Sequence, residues 1–391
     1  MDWSFLIKNK ESLHVTTDSR KVTPGCIFVA LKGEHFDGND FVEQAERDGA
    51  AYIIKGENAI QELQDLARAW RRQLDIPVIA ITGTNGKTTT KELTAAVLGK
   101  RFNVCYTQGN LNNQLGVPLT LLSITRAHEV AIIEMGASHP GDIKELVEIA
   151  EPTCGLITNV GKAHLEGFGS FEGVQKTKAE LYDFLRAHGG FCFRNIDNPY
   201  LTKMAADLKT VEYTTGTLPE GTHLVGGYNA ENVSAAICVG AYFGISREQA
   251  LEAIRAYVPT NNRSQLMQTE RNTVIVDAYN ANPTSMTAAI NAFANSQRPT
   301  ANGQCYILGA MRELGEYSRL EHQNIVNMLL ERKADKVLLV GEEYKQTTAP
   351  YPVFENVEAL CAYLQKEPLS GYSILLKGSR SNQLEKVIPL L

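Results

Sequence analysis

The sequence predicts an α/β protein of three domains, and three observations predict it. From about residue 78 onward, apolar β-type runs alternate with helical patterns, which implies a parallel sheet with helices on both faces. Two breaks interrupt the chain, Leu74-Asp75-Ile76-Pro77 and Val258-Pro259-Thr260-Asn261-Asn262. At the first, Pro77 biases its predecessor away from helix. Finally, the length of 391 residues, at roughly 150 per domain, accommodates two or three separate cores. The expected boundaries are 1–77 for a mixed α/β unit, 78–258 for a central parallel-sheet domain and 259–391 for a small Rossmann-like domain.

In the first unit, the β-type runs are Cys26-Ile27-Phe28-Val29-Ala30 and Ala51-Tyr52-Ile53-Ile54, with helical stretches at 41–49 and 59–74. The central domain carries β-type runs at 78–82, 130–134 and 155–159, followed by helical patterns at 88–100, 142–150 and 173–186. Gly226-Gly227-Tyr228-Asn229 opens a further helix to about residue 243, with Asn229 suited to capping it. The last domain reads as strand 273–277, helix 285–294, strand 305–308, helix 319–332 and strands 336–340 and 373–376. No internal repeat and no low-complexity tract appears. In such sheets ligands bind at the carboxyl ends of the strands. That is where 83–88, Glu134 and the stretch 159–164 fall.

Composition removes several function classes. A hydrophobic content of 43% with 21% charged residues is that of an ordinary globular protein. A net charge of −6 argues against broad nucleic-acid binding, which needs a basic face. The seven cysteines stand singly with no Cys-x-x-Cys pair, which favours reduced thiols over disulfides or a zinc site. Met1-Asp2-Trp3-Ser4 lacks the basic-then-apolar layout of a signal peptide. No apolar run approaches the ~20 residues needed to cross a bilayer. A cytoplasmic protein without membrane insertion is expected.

The most informative stretch is Thr82-Gly83-Thr84-Asn85-Gly86-Lys87-Thr88-Thr89, directly after Val78-Ile79-Ala80-Ile81. A strand opening through glycines into a helix presents backbone N–H groups and a helix N-terminus to an anion. Lys87 supplies a point charge for the β/γ-phosphates, and the Thr88 hydroxyl is a ligand for Mg²⁺. The general pattern G-x-x-x-x-G-K-[ST] would place glycine at 81, where Ile81 stands, so the loop is a variant P-loop. A carboxylate at the end of an apolar run, Glu134, carries a heavy desolvation cost unless a metal or base pairs with it.

The full octet resembles the nucleotide loop of the Mur ligases and folylpolyglutamate synthases, which join an ATP-activated carboxylate to an amine. Further blocks are similar to Mur ligases in the same order. They are Gln108-Gly109-Asn110-Leu111-Asn112-Asn113, Ile133-Glu134-Met135-Gly136, the stretch 159–166 from Asn159 to Glu166, Lys178-Ala179-Glu180-Leu181-Tyr182, Asn229-Ala230-Glu231-Asn232 and Asn262-Arg263. Within the family, the blocks 110–118, 164–169, Asp277-Ala278-Tyr279-Asn280-Ala281-Asn282-Pro283 and Lys377-Gly378-Ser379-Arg380 look like the subgroup that adds D-Ala-D-Ala. Two positions depart from that subgroup: Ala310 stands where aspartate is usual, and Asn39 where histidine is common.

The resemblance implies a UDP-sugar-peptide-binding first domain, a central ATPase domain and a C-terminal ligase domain. It implies ATP and Mg²⁺ as cofactors, and UDP-MurNAc-tripeptide and D-Ala-D-Ala as small-molecule substrates of a monomer. ATP would phosphorylate the tripeptide carboxylate, and the dipeptide amine would capture the acyl phosphate. By the same resemblance Gly83, Thr84, Asn85, Gly86, Lys87, Thr88 and Thr89 hold the phosphates, and Asn232 meets the adenine. Arg263, Asp277 and Asn280 close over phosphates and ribose from the last domain. Thr88, Glu134, His164 and a carbamylated Lys178 make the metal set, with Lys87 among the catalytic groups. Lys176 competes with Lys178, although the Lys-x-x-Leu-Tyr spacing favours Lys178. Ser19 and Arg20 are the expected diphosphate contacts, Lys32 belongs to the same uridine-diphosphate site, and Asn110, Asn112 and Asn113 face the nucleotide-peptide. The alternatives are another Mur or folylpolyglutamate-type ligase, a P-loop kinase, and a non-catalytic nucleotide-binding regulator.

Overall fold

A computed structural model describes residues 2–33, 36–259, 263–296 and 301–391. The 260–262 part of the second break, with Asn262, lies outside them. The three-sheet α/β architecture agrees with the sequence reading. A small parallel sheet comes first, formed by β1 (Val15–Thr16), β2 (Ile27–Val29) and β3 (Tyr52–Ile54) in that order.

The central sheet contains β4 (Val78–Thr82), β5 (Val104–Tyr106), β6 (Val130–Glu134), β7 (Cys154–Ile157), β8 (Phe191–Asn195) and β9 (Thr210–Tyr213). Its order is β5-β6-β4-β7-β8-β9 and every pairing is parallel. Strands β4, β6 and β7 are buried at every position, which is why they read as continuous apolar runs. The chain leaves β4 toward β6 on one side and returns to β7 on the other. The resulting switch point lies at the carboxyl ends of β4, β6 and β7.

The third sheet comprises β10 (Gln265–Gln268), β11 (Thr273–Asp277), β12 (Gln304–Gly309), β13 (Lys336–Val340), β14 (Val353–Phe354) and β15 (Ser373–Lys377). Its order is β10-β11-β15-β12-β13-β14, parallel except for the antiparallel edge strand β10.

Helix bounds sharpen the sequence reading, and in one place correct it. The nucleotide-loop helix is Lys87–Leu98, with Gly86 at its N-cap in the left-handed region. It packs on the helix Asn229–Tyr242, where a Cβ at Gly240 would come within 2.5 Å of Val97 Cγ1. Asn229 does not cap that helix: Tyr228 occupies the cap, and the Asn229 amide donates to Val225 O instead. Beyond Asn113, the chain enters a helix that the sequence reading did not include, Gly116–Leu122.

The helix Ala59–Arg71 precedes the first break but joins the core of the central domain. Leu63, Leu66, Ala67 and Trp70 are fully buried, in the cluster that also holds Val117, Leu121, Ile143 and Leu146. Trp70 Nε1 donates to Ile124 O at 2.9 Å. Arg71 donates to the carbonyls of Ala150 and Glu151, closing the exposed end of the helix Asp142–Ala150. Burial lowers the Arg71 pKa, with Glu151 and Asp75 acting against it.

No helix among the described residues is long and apolar enough to cross a membrane. If Trp70 anchors the first segment to the central domain, Trp70→Ala removes a buried aromatic and orphans the Ile124 carbonyl. The expected loss is about 3–5 kcal/mol of unfolding free energy, read from urea denaturation. A loss under about 1 kcal/mol would show that the anchor lies elsewhere.

Candidate active site

The carboxyl ends of β4, β6 and β7 open into a cleft of about 610 Å³. Its lining includes 84–89, Asn110, Asn112, Asn113, Glu134, His164, Asn232, Arg263, Asp277 and Asn280, so most of the expected site residues converge there. Gly83 and Lys178 are not among the lining residues, and Ser19, Arg20 and Lys32 lie apart in the first domain.

The nucleotide turn is held open by main-chain contacts. Gly83 has φ +141, and a Cβ there would stand 2.0 Å from Thr158 Oγ1. Gly86 has φ +80 and no room for a side chain beside Asn232, whose Oδ1 would be 2.3 Å from a Cβ. The next turn fastens the loop: Thr84 N donates to Asn159 O and Asn85 N to Asn159 Oδ1, both at 3.0 Å. Gly161 N donates to Thr84 Oγ1 at 2.9 Å. Lys87 Nζ donates to the Gly83 carbonyl at 2.7 Å and to Thr84 O at 3.0 Å. Burial lowers the Lys87 pKa to about 8, Glu134 opposing the shift and Arg263 adding to it. A polyanion in the turn favours the charged ammonium.

Glu134 is 1% exposed at the end of β6. Its Oε1 accepts from Thr88 Oγ1 at 3.2 Å and from Asn112 Nδ2 at 2.7 Å. Its Oε2 has no hydrogen-bond partner, the Lys91 ammonium standing 3.5 Å away. Sequence reasoning missed Lys91, which is fully buried, donates to Gly109 O at 3.2 Å and lies near the Tyr106 ring. The available signal was its place three residues after Thr88, on the same helix face. An orphaned carboxylate oxygen beside a threonine hydroxyl fits a hard divalent cation that takes oxygen ligands. Among the described residues, no group of three or more His, Cys, Asp or Glu forms an all-protein cage. Phosphate oxygens and water would have to complete the coordination of such a cation.

Lys178 is buried, whereas Lys176 is exposed, so the helix Phe171–Ala187 turns the former inward. Its ammonium lies 5.5 Å from the Phe168 ring centroid. Burial, then the charge of Lys87, pushes its pKa well below the ordinary lysine value, with Asp142 and Glu180 opposing. His164 rests edge-on to the same Phe168, and its Nδ1 meets the Glu313 carboxylate from the third domain. The contact lies outside hydrogen-bond geometry, and the nearness of His164 is the main cause of a lowered Glu313 pKa.

The other wall comes from the third domain. Arg263 stacks 3.8 Å from the Tyr279 ring centroid, with Arg380 5.6 Å from that centroid. Asp277 pairs with Lys377 at 2.7 Å and receives Ser264 N. Asn280 places its own Oδ1 on Ala281 N, and its carbonyl accepts from Lys377. Asn232 accepts from Thr90 and donates to Asn229, which leaves one amide hydrogen and one lone pair free of these bonds. Asn113 uses Oδ1 on Leu115 N and Gly116 N, starting the helix Gly116–Leu122.

In the first domain, Asp18 caps the turn Ser19–Lys21 and pairs with Arg20, while Lys32 bridges Asp37 through the backbone. Asn39 takes a structural place there, donating to Asp37 at 2.6 Å and accepting from Gly56 N. Ala310 is fully buried against Gly341, with its carbonyl held by Asn382.

Comparison with known proteins agrees with this arrangement. Residues 13–99 match the Mur ligase family catalytic domain, 81–220 the Mur ligase middle domain, and 262–380 the Mur ligase glutamate ligase domain. The UDP-N-acetylmuramoyl-tripeptide–D-alanyl-D-alanine ligase of Bacillus subtilis (strain 168) is 34% identical, over 96% of this chain and 92% of its own. Its Escherichia coli (strain K12) counterpart is 33% identical, over 96% and 93%. The MurF ligase of Thermotoga maritima, solved in complex with ADP, superposes with a TM-score of 0.86 at 27% identity, covering 98% of each chain. A MurF crystal structure from Acinetobacter baumannii gives 0.85 at 28%, over 96% of this chain and 92% of that one. The full-length matches, and the gathering of the nucleotide turn, Glu134 and the third-domain cations around one cleft, lead to one conclusion: the chain belongs to the Mur ligase family.

Proposed function

We propose that the chain is an ATP-dependent amide ligase that joins D-Ala-D-Ala to UDP-N-acetylmuramoyl-tripeptide, in the cytoplasmic synthesis of peptidoglycan precursors. The observation that carries this reading is the likeness, over nearly the whole chain, to enzymes named for that reaction. The cleft supplies what the chemistry needs.

The 84–89 backbone and Lys87 bind the phosphates, and Arg263 approaches from the opposite domain. A carboxylate oxygen of the tripeptide attacks the γ-phosphorus, and ADP departs. The dipeptide amine then attacks the acyl carbon, loses its proton, and expels phosphate carrying that oxygen. The protein's contribution is alignment and preplaced positive charge. Thr88 and Glu134 are the residues that would hold Mg²⁺, which supplies charge neutralisation on the phosphates when bound. Asn110 and Asn112 face the acceptor side of the cleft, with Asn232 at the base and Asp277 and Asn280 at the ribose. Ser19, Arg20 and Lys32 contact the uridine diphosphate.

Lys178 is carbamylated in this reading. A lysine amine attacks CO₂ only when neutral, and burial beside Lys87 favours that neutral form. The product places an anion where a second cation would otherwise face Lys87.

The reaction is tested by mixing the protein with UDP-MurNAc-tripeptide, ATP, Mg²⁺ and D-Ala-D-Ala. Mass spectrometry should find ADP, phosphate and a nucleotide-peptide heavier by one dipeptide less water. Phosphate release should respond to D-Ala-D-Ala and not to diaminopimelate, lysine or glutamate. A stably phosphorylated product without a new amide would mark a kinase, and no turnover at all would mark a regulator. For the carbamate, Lys178→Arg keeps bulk and charge and should lose roughly 10²-fold in kcat. Wild-type activity of that variant at low bicarbonate would remove Lys178 from the mechanism.

A further inference from the structure

We propose that Tyr228 is a positioning residue for the nucleotide: through Ser264, its hydroxyl sets the third-domain residues Arg263 and Asp277 in register with the adenine side of the cleft. The inference rests on the reading of Arg263, Asp277 and Asn232 as nucleotide contacts, and goes beyond it to a residue to which that reading gives no role.

Tyr228 stands where the helix Asn229–Tyr242 of the central domain begins. Gly226 precedes it at φ +90, and a Cβ there would come within 2.4 Å of Tyr228 Cε1, so the ring covers its own turn. Asn229 N donates to Gly226 O and Asn229 Nδ2 to Val225 O, which closes that turn. Asn232, four residues on, shares the helix face of Tyr228 and is fastened to Asn229 Oδ1 and Thr90. The ring is therefore fixed relative to the adenine residue before its hydroxyl meets anything.

That hydroxyl reaches into the third domain. Tyr228 Oη and Ser264 Oγ are 2.6 Å apart, and Ser264 is buried. Ser264 has φ +49, in the left-handed region that residues other than glycine seldom occupy. Such a conformation persists where its surroundings over-determine it. Here Ser264 N donates to Asp277 Oδ1 at 3.3 Å, while Lys377 takes Oδ2. The preceding residue, Arg263, lies over the Tyr279 ring, and its Nε is buried with no hydrogen-bond partner among the described residues. One serine thus joins the tyrosine hydroxyl to a carboxylate and, through a single peptide bond, to a cation. Burial, then the Asp277 charge, pushes the Tyr228 pKa up, with Ser264 opposing, so the phenol stays neutral.

The chain is pinned before this point as well. Tyr257, just past the helix Arg247–Ala256, donates its hydroxyl to Glu92 Oε2 on the nucleotide-loop helix. Two tyrosine hydroxyls therefore hold 257 and 264 against central-domain helices. Without the Tyr228 contact, Arg263 and Asp277 lose their fixed distance to Asn232. The domains themselves stay docked through other contacts: Asn85 with Asn282, Lys162 N with Thr284, and Lys162 Nζ with Glu321. The loss should fall on the nucleotide and spare the nucleotide-peptide.

The experiment is a double-mutant cycle on the full chain: Tyr228→Phe, Ser264→Ala and both together, read by calorimetric titration with ADP and Mg²⁺. Phenylalanine keeps the ring over Gly226, so the variants should melt close to the wild type. Each single variant should bind ADP about 5- to 20-fold more weakly. The double variant should lose no more than the weaker single one, because all three lack the same bond. KM for ATP should rise in parallel, with KM and affinity for UDP-MurNAc-tripeptide unchanged. Wild-type ADP affinity in the single variants, losses that multiply in the double variant, or an equal loss toward the nucleotide-peptide overturns the proposal. The ADP cycle needs no peptide substrate. A failed ligation assay beside a coupled cycle sinks only the ligase reading, and normal ligation with unaltered ADP binding sinks only the tyrosine contact.

Discussion

The buried carboxylate of Glu134 is the constraint on which the rest of the site depends. A lone ionised carboxylate at the end of an internal strand would cost several kcal/mol. The sequence offsets this from three directions: the Thr88 hydroxyl, the Asn112 amide and the Lys91 ammonium. The partners come from two pieces of the cleft. Thr88 and Lys91 share the nucleotide-loop helix, Asn112 belongs to the asparagine-rich loop, and Lys91 also fastens that loop through Gly109 O. One charge thereby locks the triphosphate turn to the acceptor loop before any ligand arrives. Preplaced dipoles of this kind need little reorganisation during reaction.

The third domain contributes charge rather than shape to the cleft. Arg263, Lys377 and Arg380 gather around Tyr279 and Asp277, while Lys87 faces them from the central domain. Cations brought this close without an anion oppose one another, and Arg263 depresses Lys87 for that reason. A polyanion between them would turn that mutual repulsion into shared attraction.

Much of this was legible in the sequence. The largely buried strands β4, β6, β11 and β13 were read with their observed bounds, because both faces are covered and the apolar runs are unbroken. Strands β1, β5, β8, β9, β10 and β14 were missed: at two to five residues, near or at sheet edges, they carry too little periodic signal. The helix Gly116–Leu122 was hidden by Pro118, which is tolerated because it falls in the first turn. Lys91 went unnoticed for a different reason. A lysine on a helix defaults to solvent, and only the third dimension shows a carboxylate waiting beneath it. Glu313 was likewise beyond reach, since its partner lies in another domain.

The helix Ala59–Arg71 links the remaining domain to the chemistry. It follows the first sheet directly, yet its buried face belongs to the central core, so the first sheet is tethered through the short 55–58 connection. Gln64 on this helix donates to Glu145 at 2.6 Å and to Gln114 O at 3.3 Å. Both of those residues line the cleft. A ligand that spans the first domain and the cleft therefore meets a continuous, rigid path rather than a hinge. The third domain meets the centre through polar pairs such as Asn85–Asn282 and Lys162–Glu321, and its buried Met311 and Leu314 join the same apolar cluster as Leu165 and Phe168. Each outer domain is thus held to the centre by apolar burial as well as by polar pairs, so the cleft walls are set by the same packing that builds the core.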